Sequence, residues 1–170
     1  MKKRLIWIIG VATILTACNS EVSDNPPTHV NEEHKATSNL EITNFLMNER
    51  PPALTITIGE QTIKTSLGSH SWSYTDEKTG QQIAIETESL SPTEIVSLEN
   101  AKLVDLNKPI HLNFEQQPDR YDIRIWSNEN KITATYKDLS DIKEKGKIVC
   151  EILATWEQGT ASYSFALDIQ

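Results

Sequence analysis

The chain has 170 residues, with 24 acidic against 16 basic side chains and a formal net charge of −8. An acidic surface is repelled by nucleic acid phosphates and by anionic lipid headgroups, which argues against nucleic acid as a partner and against polybasic membrane association. No acidic loop has the spacing of an EF-hand, so the charge reads as a solvated surface and no cofactor or metal is expected.

In chain order, Lys2, Lys3 and Arg4 form a basic start, and residues 5–15 form an apolar run interrupted only by Gly10 and Thr13. A run this short cannot cross a hydrocarbon core, which takes about 20 helical residues. Its layout of basic start, apolar middle and small residues is that of a secretory leader. Leu15-Thr16-Ala17-Cys18 closes the run. This tetrapeptide resembles the lipobox of bacterial lipoproteins, at which the leader is removed and the cysteine lipidated. An ordinary signal peptide cut near Ala17, with Cys18 incidental, is the plainer alternative. The resemblance implies that residues 1–17 are lost and that Cys18 carries a diacylglyceryl group through its sulfur. Two acyl chains hold a protein stably on a membrane, where one gives only marginal binding. The expected address is therefore the outer face of a bacterial cell membrane, with the protein anchored and not spanning. Three basic residues leave with the leader, so thirteen basic face twenty-four acidic side chains in the remainder, a net −11.

Residues 18–50 read as a flexible tether, polar and carrying Pro26-Pro27. About 30 such residues span roughly 30 Å root-mean-square. Residues 40–47, with Leu40, Ile42, Phe45, Leu46 and Met47, are its apolar exception and suit either a first strand or a helical turn docking on the domain.

From Pro51 to the last residue, 170, period-two alternation takes over, the mark of half-buried strands. Leu54, Ile56 and Ile58 share a face, Gly59-Glu60 offers a reversal, and residues 61–67 return. Gly68 suits a β-bulge before residues 69–74. The loop at Asp76–Gly80 leads to residues 81–87, with Ile83 and Ile85 inward. Ser91-Pro92-Thr93-Glu94 spells a capping box and predicts one brief helix over residues 92–98. Strands resume with Ile110, Leu112 and Phe114, then Tyr121, Ile123 and Ile125, then Ile132, Ala134 and Tyr136. The clearest hairpin joins residues 147–156 to residues 162–169 through Gln158-Gly159. Seven to nine short strands with turns about every ten residues predict an all-β fold. The expected form is an antiparallel, immunoglobulin-like β-sandwich with one short helical turn and without the antibody cysteine pair.

Three stretches carry a family resemblance: residues 58–72 with Gly68-Ser69-His70-Ser71-Trp72, residues 114–126 from Phe114 through Pro118 to Trp126, and residues 154–165 with Trp156-Glu157-Gln158-Gly159. Together they look like stretches of small cell-envelope lipoproteins of Gram-positive, Bacillus-type bacteria. That resemblance implies an extracytoplasmic β-domain; it brings no activity and no functional residue beyond Cys18.

Chemistry-bearing residues are few. With Cys18 committed to lipid, Cys150 has no disulfide partner, and its register with Ile148, Ile152 and Ala154 predicts a buried thiol. His29 and His34 lie in the tether at no useful ligand spacing, and His111 falls on a polar strand face. His70 sits between Ser69 and Ser71, but strand neighbours point to opposite faces and no Gly-x-Ser-x-Gly elbow is present. No catalytic or metal-binding residue is assigned. Trp156 belongs by register to the core, while Trp72 is ambiguous beside a bulge. Parity places Trp126, Arg124 and Asp122 on the polar side of their strand, an arrangement suited to contacting a protein or glycan partner; the bland reading is that Trp126 packs under a loop. The expected function is a non-enzymatic, membrane-tethered binding module. Its rivals are a cell-envelope hydrolase and an accessory subunit of a membrane complex or transporter.

Overall fold

The computed structural model describes residues 49–170. The expected leader over residues 1–17, Cys18, His29, His34 and the apolar segment at 40–47 lie outside the described residues. Ten strands and one short helix follow in the order β1 (Leu54–Ile58), β2 (Gln61–Lys64), β3 (Ser66–Thr75), β4 (Gln82–Thr87), α1 (Pro92–Ile95), β5 (Lys102–Val104), β6 (Ile110–Phe114), β7 (Arg120–Trp126), β8 (Ile132–Tyr136), β9 (Gly146–Trp156) and β10 (Gly159–Ile169). They form an all-β sandwich, as the alternation predicted. The smaller sheet has the order β2-β1-β6, and the larger runs β4-β3-β10-β9-β7-β8. The short β5 pairs with the end of β10 and is parallel to it, an exception to the otherwise antiparallel pairing.

Period-two alternation builds the interface between the sheets. Leu54, Ile56 and Ile58 of β1 turn one face inward, with Ile63 of β2 beside them. The larger sheet answers with Ile123 and Ile125 of β7, Cys150, Ile152 and Ala154 of β9, and Tyr163, Phe165, Leu167 and Ile169 of β10. Trp72, ambiguous from the sequence, is buried in this core together with Trp156. An aromatic group joins the two layers at one end. Phe114 of the smaller sheet lies 5.9 Å from Trp156 and 6.0 Å from Tyr163 of the larger, both edge-on.

The chain is tied to this end as it enters the domain. Arg50 donates to both carboxylate oxygens of Glu115, at 2.9 and 3.2 Å, and the Ala53 N–H donates to the same carboxylate at 2.8 Å. Tyr163 Oη donates to the Pro52 carbonyl. The Arg50 hydrogen bond, followed by that of Ala53, holds the Glu115 carboxyl below the usual carboxylate range. A carboxyl lowered on folding stabilises above the ordinary range near about 4, and that contribution is lost as pH falls through its folded value.

Three local expectations were met through identifiable devices. Gly68 does sit at a bulge: between the pairs Ala161–His70 and Tyr163–Leu67, β3 uses one residue more than β10. The capping box forms, with the Ser91 N–H donating to Glu94 at 3.2 Å. The hairpin of β9 and β10 is present and central to the large sheet.

Three others need correction. The helix stops at Ile95 instead of 98, because Val96 is extended (φ −118°, ψ 141°) and Ser97 caps a separate 3-10 turn at Leu98–Asn100. A serine that offers its oxygen to a nearby N–H competes with helix continuation. The β9–β10 turn is Glu157-Gln158, and Gly159 already pairs with Trp156, so β10 begins three residues earlier than the pattern suggested. Ile132 does not share the inward face of Ala134 and Tyr136. A register shift between Ile125 and Trp126 sets it opposite Trp126 and leaves it 46 % exposed.

The outer face of β9 and β10 is also covered. The α1 segment and the 3-10 turn after it cross this face, so Val149, Glu151, Ser162 and Ser164 are buried despite their polar parity. Gly68 belongs to the same layer: a Cβ there would stand 2.5 Å from Ser162 Oγ.

Candidate ligand groove and the outer sheet face

The three residues expected to form a contact surface do lie together. Asp122, Arg124 and Trp126 of β7 stand opposite Leu153, Glu151 and Val149 of β9. Glu151 is only 7 % exposed. The Trp126 indole N–H donates to its carboxylate at 3.1 Å, and Arg124 approaches the same oxygen at 3.5 Å. Asp122 pairs with Lys137. A buried carboxylate requires partners to offset its desolvation, and Trp126 and Arg124 supply them. The cluster therefore closes largely upon itself, and Trp126 is half-buried.

The serines and histidine around residue 70 are likewise engaged locally. The His70 ring nitrogen Nδ1 lies 3.1 Å from the Gly68 carbonyl. Ser69 Oγ accepts from the Ser89 N–H at 3.0 Å and lies 3.1 Å from Ser89 Oγ. His111 is exposed on β6. Among the described residues, no group of three or more His, Cys, Asp or Glu side chains is placed to hold a metal ion.

Cys150 is fully buried. Burial, with a smaller push from Glu144, raises its thiol above the ordinary range, so the reactive thiolate is suppressed. In the native protein Cys150 is expected to resist an aromatic disulfide reagent and to react only on denaturation. A lipidated Cys18 leaves one titratable thiol per denatured chain; two would show that Cys18 is unmodified, and rapid labelling of Cys150 in the native state would contradict its burial.

A different feature, unforeseen from the sequence, offers space for a ligand. On one side, β10 pairs with β3 up to Ser164, opposite Ser66, and with β5 only from Leu167, opposite Lys102. Between these points Phe165 and Ala166 have no strand beside them on that side among the described residues. A groove of about 490 Å³ opens there, between β2, the α1 segment and β5. Half-buried Ile95 and Val96 contribute apolar surface to it above a floor closed by buried Ile63 and Phe165, and Ser97, Asn100, Lys64 and Lys102 contribute polar groups. The α1 segment separates the groove from a second depression of about 420 Å³, which is lined by Glu94, Glu99 and Val149.

Each wall has a local cause. The Gly59-Glu60 reversal folds β2 back along β1, and the paired caps at Ser91 and Ser97 break what could have been one helix into two turns. Only the parallel addition of β5 to β10 brings Lys102 within reach. Neither lysine carries a sequence signal, because the three-residue β5 gives no periodicity to read. No protein-family model, curated protein or solved structure matches this chain.

Proposed function

We propose that this protein is a lipid-anchored, extracytoplasmic binding module that holds its ligand in the groove beside β10. The lapse in pairing at Phe165 and Ala166, which leaves a cavity of about 490 Å³, carries this reading. Ligand sites of small molecules are typically concave, about 300–1,000 Å³, and apolar with a few polar groups. The leader and the Leu-Thr-Ala-Cys sequence ending at Cys18 support the membrane address. The long paired strands of the larger sheet suit a rigid carrier whose ligand is presented at one edge. The face of Trp126, Arg124 and Asp122 is the second surface for a protein or glycan partner, with exposed Ile132 beside it.

Photo-crosslinking in intact cells tests the proposal. A photoreactive residue at Ser97, in the groove, is expected to capture a discrete species, and one at Ile132 reports on the second surface. The same residue at Glu77, in the exposed β3–β4 loop, serves as the reference. Capture that is no greater at Ser97 or Ile132 than at Glu77 would overturn the binding role. Recovery of the unlipidated chain from the soluble fraction would overturn the anchor.

A further inference from the structure

We infer that the groove binds a small amphiphilic anion, with a carboxylate or phosphate head between Lys64 and Lys102 and an apolar body along Ile95 and Val96. The inference rests on the groove reading above and adds the chemical class of its occupant.

Charge placement comes first. The chain is acidic overall, at −8, yet among the described residues the groove is lined by two lysines and by no Asp or Glu. The ion pairs of the described residues employ Arg50, Arg124, Lys131 and Lys137. Lys64 and Lys102 take part in none of them, and both are exposed. In an acidic protein, two cations left without a carboxylate at the rim of one groove favour an anionic guest and repel a cationic one.

The α1 segment also partitions the surface. Its far flank presents Glu94 and Glu99 to the neighbouring depression. The ridge thus turns its carboxylates away from the side on which β2 and β5 supply Lys64 and Lys102, so an anion is directed into the groove and away from the second cavity. Ser97 and Asn100 place a hydroxyl and an amide beside the lysines as further donors to anionic oxygens.

Apolar surface beside the lysines selects further. Phe165 is buried and belongs to the core, yet it lines the groove at the point where β10 lacks a neighbour. Phe165 and the buried Ile63 close the floor, and the half-buried Ile95 and Val96 give an apolar wall that a bare inorganic ion leaves uncovered. Burying such surface rewards a guest that carries hydrocarbon along with its charge.

The test uses the purified full chain and four probes: octyl phosphate, octanoate, inorganic phosphate and octyltrimethylammonium, each below its micelle concentration. Calorimetric titration is expected to show saturable binding of the first two, at least about tenfold weaker binding of inorganic phosphate, and none of the ammonium probe. Backbone amide shifts should centre on Val96, Lys102 and Ala166. Exposed charge contacts are individually modest, so Lys64→Gln and Lys102→Gln should each weaken octyl phosphate about threefold. The charge-reversed pair Lys64→Glu/Lys102→Glu should weaken it more than about tenfold, with an unchanged thermal midpoint. Equal binding of the ammonium probe, undiminished binding by the folded double variant, or amide shifts remote from the groove would each overturn the inference. Capture at Ser97 in cells without anion binding would leave the binding role standing and remove only the ligand class.

Discussion

Gly159→Ala is expected to cost about 3–5 kcal/mol of stability, one of the largest losses available to a single methyl group in this domain. The added Cβ would stand 2.0 Å from the Ser71 carbonyl oxygen and 2.9 Å from its carbon, and φ at residue 159 is +152°. The obstacle is backbone on both sides. Ser73 donates its N–H and its hydroxyl to the Gln158 carbonyl, at 2.8 and 3.0 Å, which holds the β9–β10 turn against β3. Relief would require peeling β3 from β10 in the middle of the larger sheet. Gly80→Ala is the matched control: its φ is +69°, but nothing lies within 4 Å of the new Cβ. Only the backbone penalty of about 1 kcal/mol should appear there. Urea unfolding of both variants checks the pair, and a loss below about 1 kcal/mol at Gly159 would refute the close approach. Native domains are stable by about 5–15 kcal/mol, so the variant at 159 should be poorly folded at elevated temperature.

Trp156→Ala should cost a similar amount, about 3–5 kcal/mol, by a different route. The indole meets Trp72 edge-on at 5.6 Å, Phe114 at 5.9 Å and Tyr163 at 6.4 Å, so it touches both layers. Its N–H donates to the Gln116 carbonyl at 3.1 Å, fixing the chain just after β6. Truncation leaves a cavity between the sheets and deprives that carbonyl of its donor. Trp156→Phe separates the two losses: it keeps most of the apolar contact and forfeits the hydrogen bond, for about 1–2 kcal/mol. If alanine and phenylalanine prove equally damaging in equilibrium unfolding, packing is not the dominant contribution at this site.

The same residues show how far local pattern reaches. Alternation marked β1, β6, β7 and the long hairpin, because a half-buried strand must place its apolar residues on one face. Gly68 announced its bulge and Ser91-Pro92-Thr93-Glu94 its helix start, each through chemistry contained in a few neighbouring residues. Trp156 and Cys150 were assigned correctly by register alone. Trp72 was not, since a bulge changes parity and only the β10 partner determines which way the strand resumes. Ile132 failed for the same reason on β8. Trp126, Arg124 and Asp122 do share one face, but that Glu151 is buried against two of them depends on pairing with β9, which begins twenty residues after β7 ends.

By itself, the order of residues determined a basic and then apolar start closed by Leu15-Thr16-Ala17-Cys18, an acidic and β-rich body, and the face that most strands turn inward. These follow from composition and from a two-residue period, both local properties. Tertiary structure alone decided which strands became neighbours, that α1 covers the outer face of β9 and β10, and that β10 loses its partner between Ser66 and Lys102. Those outcomes depend on pairing between distant segments, where hydrogen bonds and buried area are shared by residues that the local pattern never juxtaposes. The groove exists because β3 and the short β5 meet β10 end to end without closing the gap between them.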